Sequence, residues 1–148
     1  MPLFQTKSFT GLESSTAYFS VISFKTPVKI INKARNTVIS ADAREARSFL
    51  SRVRGLMLAK RPQTLVLVSP DESVEASSIH MWFMRQPIDV IWLDFGMKVV
   101  DLFEGAKPWA FRIFRPKSPA KYIVECPVGT IARTRTKEGD ILTFNGRT

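Results

Sequence analysis

From residue 64 onward, apolar side chains recur at every second position in short runs, the spacing of strands that bury one face. Runs at 64–68 (TLVLV), 77–84 (SSIHMWFM), 88–93 (IDVIWL), 97–103 (MKVVDLF), 110–114 (AFRIF), 122–126 (YIVEC) and 141–144 (ILTF) predict seven strands. Between them stand Gln86-Pro87, Asp94-Phe95-Gly96, the proline-bounded stretch 116–119 and Glu138-Gly139-Asp140, all good turn chemistry. Upstream, 17–24 and 28–31 are short β-prone runs parted by Lys25-Thr26-Pro27, where proline interrupts pairing. They read as a hairpin or an extra edge, with 37–40 as a further short strand. Residues 1–16 are polar and without period, which predicts a flexible arm.

One stretch has a different period. Ala46, Phe49, Leu50, Val53, Leu56 and Met57 recur at the three-and-four spacing of a helical face. Asp42 followed by Glu45 resembles a capping box, and Gly55 suits a helix end, so the pattern predicts an amphipathic helix over 42–55. The expected fold class is α+β: mainly antiparallel β, a strongly bent sheet or barrel-like, with one amphipathic helix packed on it. The expected division is a flexible arm (1–16), an N-terminal extension with short strands (17–40) and a single β-rich domain (41–148).

Composition narrows the classes. With 148 residues, 45% hydrophobic and 24% charged, the chain is not disordered throughout. No run of about 18 apolar residues exists, so a membrane-crossing helix is excluded, and no secretory pattern opens the chain. The cytoplasm is the expected compartment, with no membrane partner. The single cysteine cannot form an intramolecular disulfide or a zinc ribbon, and the single histidine excludes sites that need two imidazoles. No metal and no cofactor are expected. The net charge of +9 is uneven. Residues 62–106 hold two bases against seven acids, a net of −5, whereas the remainder holds twenty bases and six acids, a net of +14. A basic surface attracts polyanions without conferring specificity.

Several residues carry candidate chemistry. In His80-Met81-Trp82-Phe83-Met84, strand alternation would place His80, Trp82 and Met84 on one face. That is too small a set to hold cuprous copper, and methionine among aromatics ordinarily fills a core. Cys126 runs in phase with Tyr122 and Val124, which predicts a buried, inert thiol; a catalytic thiolate would need a base, and His80 is the only imidazole. Asp89 interrupts an apolar run. It requires backbone amides or a base such as Arg85, Lys98 or Arg112 as partner, or a place in a site. Asp140 reads as a turn residue. Gly105 and Gly129 stand alone, so no phosphate-cradling loop is present. Arg133, Arg135 and Lys137 alternate in TIARTRTK, which on a strand would make a comb for backbone phosphates.

The order of Arg54-Gly55-Leu56-Met57, Ile79-His80-Met81-Trp82-Phe83-Met84 and Pro87-Ile88-Asp89-Val90-Ile91-Trp92-Leu93-Asp94 resembles the domain-of-unknown-function family 192. Lys98-Val99-Val100, Lys107-Pro108-Trp109, the ECPVG of residues 125–129 and Gly139-Asp140 extend the resemblance to the last strand. Cys126 departs from it, standing where an aliphatic residue is expected. The resemblance implies a compact β-rich domain with a helix, and it implies no activity, cofactor or substrate. Three functions compete. The favoured one is a non-catalytic module that binds a ligand or protein partner near His80, Trp82, Asp89 and Trp109. The alternatives are a basic module holding nucleic acid weakly through Arg133, Arg135 and Lys137, and a small metal-independent enzyme using Asp89 and His80.

Overall fold

The computed structural model describes residues 27–46, 63–82 and 84–145. Seven strands form the main sheet: β1 (Val28–Asn32), β2 (Thr37–Ala46), β3 (Leu65–Ser73), β5 (Ile88–Leu93), β6 (Val99–Ala106), β8 (Ala120–Pro127) and β9 (Leu142–Asn145). A two-stranded ribbon pairs β4 (Ile79–His80) with β7 (Ile113–Phe114), and one short helix, α1 (Thr130–Thr134), precedes β9. The strand order is β6-β5-β8-β3-β2-β1-β9. Every pair in it is antiparallel except β2 with β3, where Arg44, Glu45 and Ala46 run parallel to Leu65, Val66 and Leu67.

The sheet curls until its two edges meet at one end. Lys98 bridges Ile141, the Leu142 amide donates to the Met97 carbonyl at 3.0 Å, and the Val99 amide donates to the Asp140 carbonyl at 2.8 Å. The result is a half-barrel. It reflects the handed twist that strands accumulate, together with the closing hydrogen bonds that satisfy otherwise exposed edge groups.

Alternation along the strands separates two cores. Ile30, Val66, Ile91, Leu93, Val99, Tyr122, Val124 and Leu142 belong to one, drawn from almost every strand of the curl. Leu65, Leu67, Val90, Trp92 and Ile123 point the other way and meet Ile79, Met81, Met84 and Phe114, which come from the ribbon and its flanks. The ribbon therefore covers one face of the sheet. Trp92 is 1% exposed, and its indole N–H donates to the Ser77 carbonyl at 2.8 Å, giving the buried ring its required partner.

The mainly antiparallel, bent, barrel-like sheet matches the expectation, and β5 spans the predicted residues. The expected helix requires correction over its first turn. Residues 42–46 are strand, not helix: Arg44 and Ala46 pair with β3, and the Asp42 amide meets the Ser40 hydroxyl. Ladder pairing with a buried neighbour outweighs a local capping pattern worth about 1 kcal/mol. Phe49, Leu50, Val53, Leu56 and Met57 lie outside the described residues, as do 1–16 and 17–24. Residues 28–31 belong to β1, an inner strand between β2 and β9 rather than an added edge. No helix among the described residues is long and apolar enough to cross a membrane.

Candidate functional site

The ribbon carries the aromatic residues that the sequence singled out. In it, Ile79 opposes Phe114 and His80 opposes Ile113. Cross-strand partners share a face, so Ile79 and Phe114 turn into the core while His80 and Ile113 turn outward. Beyond β4 the chain turns, with the Met84 amide donating to the Met81 carbonyl at 3.3 Å. That turn buries Met81 and Met84 and leaves Trp82 46% exposed, its ring centroid 5.3 Å from that of His80. The expected sharing of one face by His80, Trp82 and Met84 is thereby corrected: the strand stops at His80, and Met84 folds inward.

Trp109 reaches the same neighbourhood from the segment after β6. Its amide donates to the Met81 carbonyl at 3.0 Å, fixing it beside the Trp82 turn, and it is 53% exposed. Its backbone has φ 58°. A non-glycine residue in this left-handed region costs roughly 1–3 kcal/mol, and such strain collects where a side chain is being aimed. His80, Trp82 and Ile113 thus form an exposed aromatic and aliphatic face with one imidazole, and Trp109 adds a second exposed indole on a backbone tied to the same turn.

Asp89 is not on that face. It lies in β5, 0% exposed, with each carboxylate oxygen occupied. Register explains the first partner. Ile88 faces Ala106 and Val90 faces Phe103, so Glu104 and Gly105 together oppose Asp89 in a bulge. Gly105 takes φ 65° there and turns its N–H onto Asp89 Oδ1 at 2.9 Å. Asp89 Oδ2 accepts the Ile131 N–H at 2.9 Å, at the first turn of α1. The carboxylate thus ties three separate pieces of chain together and satisfies an otherwise orphaned helix donor.

Cys126 stands directly across the ladder from Asp89 and is 0% exposed. Burial first, and the nearby Asp89 charge second, push its pKa up to about 12. The group is a thiol at neutral pH, as an inert core position requires.

Asp140 does more than make a turn. Its carboxylate, 5% exposed, accepts from Arg35 Nε at 3.1 Å, Asn32 Nδ2 at 2.9 Å and the Lys137 amide at 2.9 Å. Burial alone would raise its pKa. The bonds from Arg35, Asn32 and Lys137 outweigh that and hold it below the ordinary value. This cluster joins the β1–β2 turn to the last loop, a link of more than a hundred residues that no local pattern announces.

The cationic comb also requires correction. TIART forms α1, and Arg135 is its C-terminal cap with φ 55°, so strand alternation does not operate. Arg133 turns its guanidinium onto the Val38 and Ile39 carbonyls at 3.1 and 3.2 Å, leaving Arg135 and Lys137 exposed without it. A short helix forms because Thr130 and Thr134 bury their hydroxyls in local carbonyl bonds, to Pro127 at 2.6 Å and Thr130 at 2.8 Å.

Sequence reasoning missed one further group. Arg112 lies over the Phe114 ring at 4.3 Å and, across to β6, over the Phe103 ring at 5.0 Å, and the second contact is one that only the fold creates.

The DUF192 family model, described as "Uncharacterized ACR", matches residues 30–144. A UPF0127 protein of Thermococcus kodakarensis is 45% identical over 116 residues, covering 78% of this chain and 72% of the relative. A UPF0127 protein of Pyrococcus furiosus is 41% identical over 116 residues, 78% of this chain and 97% of the relative. A crystal structure from Sinorhizobium meliloti, provisionally described as a transcription regulator, superposes with a TM-score of 0.73 at 19% identity. It covers 86% of this chain and 100% of its own. A protein of unknown function from Novosphingobium aromaticivorans gives a TM-score of 0.67 at 20% identity, over 79% of this chain and 83% of its own. At such identities the structures share the fold alone. The sequence match runs from β1 to β9, through both the aromatic face and the Asp89 tie, and the chain belongs to the DUF192 family.

Proposed function

We propose that the protein is a non-catalytic binding module whose ligand or partner docks on the face made by His80, Trp82 and Trp109. One observation carries this reading: Trp109 holds a left-handed backbone at φ 58° while leaving 53% of its surface exposed. A strained backbone is costly to hold for a half-exposed side chain, whereas rigid aromatic anchors suit recognition. The hydrogen bond to the Met81 carbonyl locks it beside Trp82, which is itself 46% exposed. Asp89 serves this module by position rather than by contact, since both of its oxygens already hold backbone amides.

The test follows the two indole N–H resonances of Trp82 and Trp109 by proton–nitrogen NMR during titration with a library of aromatic fragments. Binders should shift both resonances, and Trp109→Gly should abolish the shift at Trp82 while leaving the melting temperature unchanged or higher, because glycine accepts the left-handed backbone without strain. Fragments that bind saturably without moving either indole, or that bind Trp109→Gly equally well, would place recognition elsewhere and overturn the reading.

A further inference from the structure

A concavity opens where β6 meets the β7 segment. Its volume is about 340 Å³, within the lower range of sites for small ligands. Phe103 and Phe114 wall it with their edge-to-face pair, and Asp101, Arg112, Arg115 and Lys117 bring charge to it. The sequence concentrates cations here: between Glu104 and Glu125 no acid occurs, while Lys107, Arg112, Arg115, Lys117 and Lys121 do.

These charges are not equivalent. Asp101 is 6% exposed and already holds the Leu102 and Lys117 amides at 2.9 Å each. The Lys117 ammonium sits 2.9 Å from Glu138 and 3.4 Å from Asp101, so it is neutralised in place. Arg112 and Arg115 remain. Neither makes a hydrogen bond or ion pair to another described residue, yet Arg112 is held against Phe114 and Phe103 at 4.3 and 5.0 Å. A guanidinium stacked on rings loses little further freedom on binding, and its planar fork of donors matches an oxyanion. Asp101 and Glu138 set against Lys117, Arg112 and Arg115 leave the cleft and its rim a net charge of +1, and the two guanidinium groups stand unpaired among the described residues beside an apolar wall.

We infer that this cleft binds a small molecule bearing an oxyanion, a phosphate monoester or carboxylate, on an apolar body. Arg112 and Arg115 meet the anion, and Phe103 and Phe114 meet the body. The cleft adjoins the Trp82–Trp109 face through Ile113 but does not depend on that face being functional.

Isothermal titration of the full chain in low-salt buffer tests this with inorganic phosphate and phenyl phosphate as probes. Phenyl phosphate should bind at a single site and more tightly than inorganic phosphate, because only it reaches the apolar wall. Arg115→Ala should weaken it roughly tenfold or more, the usual effect of losing a charge-assisted bond. Arg112→Lys, which keeps the charge and loses the stacked fork, should also weaken it. Arg115 is exposed and makes no hydrogen bond or ion pair with another described residue, so its variant keeps the test valid even if Arg112→Lys folds poorly. Lys107→Ala and Trp109→Gly should leave the affinity unchanged, which separates failure here from failure of the aromatic face. No saturable binding of either probe up to about 10 mM, roughly ten times the Kd of a millimolar ligand, would overturn the inference. So would a loss in Lys107→Ala equal to that in Arg115→Ala, since binding would then report general charge.

Discussion

Replacing Asp89 by asparagine probes the central tie of the fold. The carboxylate is 0% exposed and accepts the Gly105 and Ile131 amides at 2.9 Å each. Hydrogen bonds to a charged group contribute roughly 1.5–3 kcal/mol each. Asparagine is nearly the same shape, but only one of its two terminal groups accepts. One amide keeps a partner, now an uncharged one, and the other faces an NH2 donor in the dry interior. The expected loss is about 2–4 kcal/mol. At roughly 2–4 °C per kcal/mol for a chain of this size, the melting temperature should fall by about 5–15 °C. Urea unfolding should show a lower midpoint at unchanged slope, since the surface exposed on unfolding is the same. Amide exchange at Gly105 or Ile131 should accelerate more than at Ile91 of the neighbouring ladder. A variant whose stability stays within about 0.5 kcal/mol of wild type would refute the reasoning, because it would mean that the amides find other acceptors.

Three further outcomes are expected. Asp140 has a depressed pKa when folded, so its contribution is present above the ordinary value of 3.8 and is lost as pH falls through the folded value. The stability gap between wild type and Asp140→Asn in urea should therefore be widest near neutrality and close on acidification; a gap constant with pH would contradict the Arg35–Asn32–Asp140 cluster. Cys126, with its pKa pushed up to about 12, should resist Ellman's reagent at pH 8 until the chain is unfolded, and rapid labelling of the native protein would be incompatible with its burial. Gly105→Ala should cost about 1–2 kcal/mol from the φ 65° backbone alone, since the nearest atom to an added Cβ is Val128 Cγ2 at 4.0 Å; an unchanged unfolding midpoint would remove the bulge argument.

Much of the sheet was legible because its signal is local. Ile88 to Leu93 alternates between two cores, and that pattern is written in consecutive residues. The aromatic face was legible in composition, since Trp82 and Trp109 sit in short recognisable segments. Its geometry was not. The left-handed backbone of Trp109 depends on a bond to Met81, and the half-exposure of Trp82 depends on the turn that ends β4.

Local patterning alone located most of the strands, marked Cys126 as a buried, inert thiol, and required partners for Asp89 in an apolar run. Tertiary structure decided which partners. Gly105 and Ile131 lie 16 and 42 residues from Asp89, and Asn32 lies 108 residues from Asp140. It also decided that residues 42–46 extend a strand beside β3, and that Arg133 serves two backbone carbonyls instead of a phosphate comb. The physical reason is common to these cases. Side-chain periodicity reports what each residue needs, an apolar surface or a polar partner. Only the curl of the sheet brings together the distant backbone groups that meet the need, and a buried polar group accepts whichever of them arrives.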